Sequence, residues 1–131
     1  MRPAVRKQSF DSVTVFWLDR EAAVEAVREA ARRVGERDPS VVRVVLFGSL
    51  ADGTATAASD ADIMIELSHS DLRLLDRPPY YMDAFADLGL PIDLFVYTSA
   101  EVRAVDPPPV AQHALRTGLP LFERGPAQSE S

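Results

Sequence analysis

The chain has 131 residues, 47% of them apolar and 26% charged, with a formal net charge of −6. These values fit one globular domain and exclude a disordered chain, while the lack of cysteine excludes disulfide frames and thiolate chemistry. The acidic balance argues against general nucleic-acid binding, which needs a basic face, and no apolar run approaches the roughly 20 residues of a membrane helix.

In chain order, residues 1–9 read as a flexible polar arm. MRPAVRKQSF has basic residues but no apolar run behind them, unlike a signal peptide, so the expected location is the cytoplasm. SVTVFWL, from Ser12 to Leu18, is rich in β-formers and predicts a short edge strand. Asp19 is placed to cap a helix running through Arg33, with Val24, Val27, Val34 and several alanines in one stripe and Gly35 as the stop. VVRVVLF, from Val41 to Phe47, is a nearly continuous β-branched run, as a strand buried on both faces requires. DIMIEL (Asp62 to Leu67) and IDLFVY (Ile92 to Tyr97) predict two further strands. Between them, Asp71 to Leu88 has helical character interrupted by Pro78-Pro79, with Tyr81, Phe85 and Leu88 facing inward and Gly89 ending it. Pro107 to Pro109 open a last short helix, Val110 to Thr117, which Gly118 ends before an apolar turn, LPLF, and a flexible tail over 125–131. The order predicts one α/β (α+β) domain over residues 10–124, a mixed sheet flanked by helices.

Three segments carry chemistry. Gly48-Ser49 ends the Val41 strand in a small-residue loop, where free backbone N–H groups and a hydroxyl can face an anion; alone, such a dipeptide more often marks a plain turn. Asp60 and Asp62 lie two apart at a strand start and so project to one side. At roughly 7 Å between Cα atoms their charges repel by about 2 kcal/mol at an effective dielectric near 20, which a bound cation would relieve. On its own the pair is more often a solvated acidic turn at a strand start. Asp93 is the third acid, and it joins the other two if the Ile92 strand pairs beside the Asp62 strand. Three oxygen donors without histidine or cysteine suit Mg²⁺ or Mn²⁺ over zinc.

The segment GSLADGTATAASDAD, Gly48 to Asp62, resembles the signature of the DNA polymerase β-like nucleotidyltransferases: Gly-Ser, a spacer of ten, then Asp-x-Asp. Gly53 in the spacer and Ser59 before the acid pair bring it nearer the small prokaryotic minimal nucleotidyltransferases. Asp93 after a helix and the closing HALRTGLPLFER, similar to the helix, turn and final strand of those proteins, extend the likeness over Val41 to Arg124. The resemblance implies a polymerase β-like fold in which Gly48 and Ser49 hold a triphosphate and Asp60, Asp62 and Asp93 bind two metal ions, with Asp93 helping to activate the attacking hydroxyl. It implies transfer of a nucleotide, AMP from ATP or the equivalent from another nucleoside triphosphate, with pyrophosphate leaving. Small members of the family often act as antitoxins that add AMP to a tyrosine of an all-helical, nuclease-like toxin of the HEPN type. Many of them carry basic residues just after Gly-Ser, where this chain has Leu50, Ala51 and Asp52. Triphosphate binding would then be weaker, or would draw on Arg43, Arg73 or Arg77, or on a partner.

Other conspicuous residues have plainer explanations. His69 reads as a loop residue and His113 as a packing or surface residue. Phe16 and Trp17 read as core or interface, Tyr80-Tyr81 as part of an amphipathic helix, and Arg28, Arg32 and Arg33 as a solvated face. The competing function is a binding module that neutralises its partner by complex formation, with an acidic surface suited to a basic partner. A small-molecule nucleotidyltransferase needs a second domain for its acceptor, which here only a homo-oligomer would supply.

Overall fold

The computed structural model describes residues 3–125. A two-stranded hairpin, β1 (Val5–Phe10) and β2 (Val13–Leu18), precedes the long helix α1 (Arg20–Arg37). Then follow β3 (Val41–Phe47), the single turn α2 (Ser49–Asp52), β4 (Ala61–Leu67), α3 (Arg77–Met82), β5 (Ile92–Thr98), the single turn α4 (Ser99–Val102), α5 (Pro109–Thr117) and β6 (Leu119–Glu123).

The expected polar arm is a strand over most of its described length. Val5 to Phe10 pair with Leu18 to Val13 in register, and Asp11-Ser12 form the turn, with Asp11 at φ 51°, a region aspartate tolerates. Polar side chains such as Arg6 and Gln8 are no bar to a strand that stays in solvent, because the ladder satisfies the backbone. The hairpin is fastened at its base, where Asp19 N–H donates to the carbonyl of buried Ala4 (2.7 Å) and Arg6 pairs with Asp19 (3.2 Å). Residues 1–2 of the expected arm and 126–131 of the expected tail lie outside the described residues.

Asp19 caps α1 as expected, accepting from Ala22 N–H. The helix runs past Gly35, which was expected to stop it, to Arg37. Gly35 is a notch instead: a Cβ there would overlap the ring of Phe122 from β6. Asp38 N–H closes the helix on the Val34 carbonyl.

The main sheet has the order β5-β4-β3-β6, parallel only between β4 and β5. Alternation in its central strands feeds two cores. Val44, Leu46, Ile63, Ile65, Leu94 and Val96 pack with Val27, Ala30 and Ala31 of α1 on one face. Val45, Phe47, Met64 and Tyr97 pack with Ala111 and Ala114 of α5 on the other. LPLF, expected as a turn, is most of β6, which pairs antiparallel with β3. The 71–88 segment is less helical than its pattern predicts: 3₁₀ turns at Leu74–Asp76 and Asp83–Phe85 flank α3, with Tyr81 and Phe85 buried. Among the described residues no helix is long and apolar enough to cross a membrane.

Candidate active site

Three chain segments meet where β3 ends and β4 and β5 begin. β3 and β4 are antiparallel, so Phe47 stands opposite Asp62; β4 and β5 are parallel and in register, so Asp62 stands opposite Asp93. Gly48 follows Phe47 directly. It adopts φ 78° and ψ −157°, a combination reserved almost wholly to glycine. A Cβ at this position would collide with Oδ2 of Asp62 and lie 3.3 Å from its Cγ. The absent side chain thus makes room for a carboxylate. Ser49 then opens α2, and its carbonyl accepts from Gly53, Thr54 and Ala55, which folds the small-residue loop back on itself.

Burial and mutual charge both weaken the acidity of two of these carboxyls. Burial first, then the charges of Asp93 and Asp60, push the Asp62 carboxyl above its ordinary range. Burial and the neighbouring Asp60 do the same to Asp93. Asp93 stands opposite Asp62 in the parallel ladder, and Asp60 lies close enough to act on both by its charge. Asp60 and Asp93 are exposed and Asp62 is half-buried, so the cluster forms an open edge rather than a pocket. Among the described residues no three such side chains form a finished cation cage. The donor set nevertheless fits a hard divalent ion, being oxygen only and crowded with like charge that a cation would relieve.

The arginines that sequence reasoning offered as phosphate ligands are placed elsewhere or engaged. Arg77 is buried, donating to Glu101 (2.7 and 3.1 Å), to the Leu72 carbonyl (3.0 Å) and to the Val96 carbonyl (3.3 Å) towards the far end of β5. Arg43 faces buried Glu66 at 3.4 Å. Arg73 pairs with Asp76 beside the same far end. The guanidinium that does reach the Gly48 loop is that of Arg20, which gave no signal in the sequence because it sits 28 residues upstream in an ordinary helix start. It donates from Nε to the Leu50 carbonyl (2.9 Å) and from Nη2 to the Ala51 carbonyl (2.7 Å). His113 packs edge-on against Phe47, ring centroids 6.0 Å apart, as a packing residue should. His69 accepts or donates only locally, to Ser68.

A glycine turn against an aspartate, with a second aspartate opposite on a parallel strand, is the arrangement of a nucleotidyltransferase-type domain. The family model of the nucleotidyltransferase domain matches residues 27–116, and the chain belongs to that family. Solved structures agree on the fold. A protein designated a nucleotidyltransferase from Sulfolobus solfataricus is 18% identical, over 80% of this chain and 84% of its own, at a TM-score of 0.60. A protein designated a minimal nucleotidyltransferase is 29% identical, over 79% of this chain and 96% of its own, at 0.54. A chain of a toxin–antitoxin crystal structure with AMP-PNP is 21% identical, over 86% of this chain and 78% of its own, at 0.52. No curated protein gave a significant match.

Proposed function

We propose that this protein is a metal-dependent nucleotidyltransferase that moves AMP from ATP onto a partner protein and thereby acts as an antitoxin. The observation that carries this reading is the register partnership of Asp62 and Asp93 beside the side-chain-free Gly48. Asp60, Asp62 and Asp93 are the residues that would hold Mg²⁺ or Mn²⁺. When bound, the metal supplies charge stabilisation for the attacking and leaving oxygens. The chain's own part is to orient. Gly48 and Ser49 take the phosphates against backbone N–H groups and a hydroxyl, and Asp93 accepts the proton of the acceptor hydroxyl. The α-phosphorus gains that oxygen and loses pyrophosphate. The structural likeness to a toxin–antitoxin component supports a toxin as acceptor, for which a helical, HEPN-type protein is the candidate.

A second reading, neutralisation by binding alone, draws on the hairpin. It lies outside the family match and exposes Phe10, Val13, Val15, Phe16 and Trp17. Exposed large apolar side chains concentrated in one hairpin suit association with a partner.

The test is to incubate the protein, and Asp60→Ala/Asp62→Ala, with Mg²⁺, α-labelled ATP and lysate of its source organism. Label on a protein with the wild type alone supports transfer. No label with either, while both still retain a partner, supports binding alone.

A further inference from the structure

We propose that two copies of this chain associate through one face of the β1–β2 hairpin, the two hairpins stacked antiparallel about a twofold axis. In the hairpin ladder Arg6 stands opposite Trp17, Gln8 opposite Val15 and Phe10 opposite Val13, and directly opposed residues project to the same side. That side gathers Phe10, Val13, Val15 and Trp17, each between 42% and 57% exposed, around a single glutamine. The other side carries Lys7, Ser9, Thr14 and Phe16, with a Ser9–Thr14 hydroxyl contact at 3.3 Å, and Leu18 at its base packs against the core. A two-stranded hairpin is marginal in water unless its apolar face is covered. The rest of the chain does not cover this one: the hairpin is fastened at its base through Ala4, Arg6 and Asp19, and the four apolar side chains remain exposed.

The occupant follows from how charge is placed on that face. Arg6, at the base end, is its one cation and is already paired with Asp19 at 3.2 Å, so the face is poorly suited to a nucleic-acid backbone. Lys7 lies on the opposite side, away from the contact. Asp11 stands in the turn at the other end. Antiparallel stacking lays the Phe10–Val13 end of one copy on the Arg6–Trp17 end of the other. The apolar centres then meet, and Asp11 of each copy comes towards Arg6 of the other, which a parallel arrangement would not allow. The face is thus complementary to itself, as a twofold contact demands. Six residues by two strands make a surface of roughly 20 Å by 10 Å, well below that of a tight interface, so the dimer forms at about 10–100 µM.

Sedimentation equilibrium of the full chain over about 5–500 µM, with fluorescence recorded alongside, tests this. Trp17 is the only tryptophan, so its emission reports the contact directly. The wild type should double its mass with concentration, and Trp17 emission should move to shorter wavelength along the same curve. Val15→Lys and, nearer the tip, Val13→Lys should each weaken association at least about tenfold. Phe16→Lys changes an equally exposed side chain (58%) on the opposite side and should stay within about threefold of wild type. Asp11→Lys should weaken association at low salt; an unchanged constant overturns the antiparallel stacking. A wild type that stays monomeric at the highest concentration overturns the inference and leaves the face to a partner of a different kind. Equal losses in Val15→Lys and Phe16→Lys, or a doubled mass with Trp17 emission unmoved, overturn it by placing the contact elsewhere.

Discussion

Asp62 and Asp93 face each other across two parallel strands, and the ladder that pairs them continues in register from Ala61–Ile92 to Leu67–Thr98. Their proximity is therefore set by seven consecutive strand positions rather than by a loop. Two carboxylates held together in this way destabilise the metal-free fold near neutral pH. The sign follows from linkage: both carboxyls have folded pKa values raised above 3.8, so the folded state binds protons more readily and loses stability as pH rises past that value. Asp62→Asn should raise the Tm of metal-free protein at pH 7 by about 2–4 °C and abolish any further rise on adding Mg²⁺. Wild type should gain Tm with Mg²⁺. Scanning calorimetry with and without EDTA decides both points.

Asp93→Ala should leave the fold intact and cut transfer by at least about 10³, because it removes both a metal ligand and the group that receives the acceptor's proton. Single-turnover labelling of the acceptor measures it. A variant retaining a tenth of wild-type rate would exclude Asp93 from the chemistry.

Gly48→Ala combines a backbone penalty with a collision against Asp62 Oδ2. About 2–4 kcal/mol of stability should go, and nucleotide binding with it, since the carboxylate has to move. Urea unfolding and ATP titration of the same sample should fall together. Gly89, also at positive φ but with open space around it, should cost only the backbone part on substitution.

Tyr81 donates to Asp38 Oδ2 at 2.7 Å. Burial, then this carboxylate, push the phenol well above its ordinary 10.0. Its folded pKa exceeds the unfolded one, so its contribution is complete below pH 10 and is lost as pH climbs beyond. Tyr81→Phe should cost about 1 kcal/mol at pH 7 and flatten the alkaline limb of the stability profile. An unchanged alkaline limb would assign that limb to other groups.

Much of the fold was legible because its strands are strongly patterned. VVRVVLF needed nothing beyond its β-branched content to declare a doubly buried strand, and DIMIEL and IDLFVY were legible as strands from their apolar runs. The glycine and the three acids were legible through their spacing, although their meeting depended on a parallel pairing that local pattern does not encode. What failed did so for nonlocal reasons. Gly35 looks like a helix stop until Phe122 is known to need the space. By its own pattern the LPLF run looks like a turn, and only the family resemblance of HALRTGLPLFER points to the strand that pairs with β3. Val5 to Phe10 look like an arm because a solvated strand has no apolar periodicity to show. The bond from Arg20 to the α2 turn was invisible because its partners are carbonyl oxygens, which carry no sequence identity.

The notch at Gly35 also has a kinetic side. Phe122 fills it from β6, and Arg124 just beyond donates to the Gly35 carbonyl across 89 residues of chain. β3 and β4, by contrast, are joined by a short connection. Closing the longer span costs more entropy before any contact rewards it, so the edge strand should lock in after the transition state. Phe122→Leu would then speed unfolding while leaving the refolding arm of the chevron nearly unmoved. The seam between α1 and β6 thus acts as the latch that sets how long the folded molecule lasts, independently of how quickly it forms.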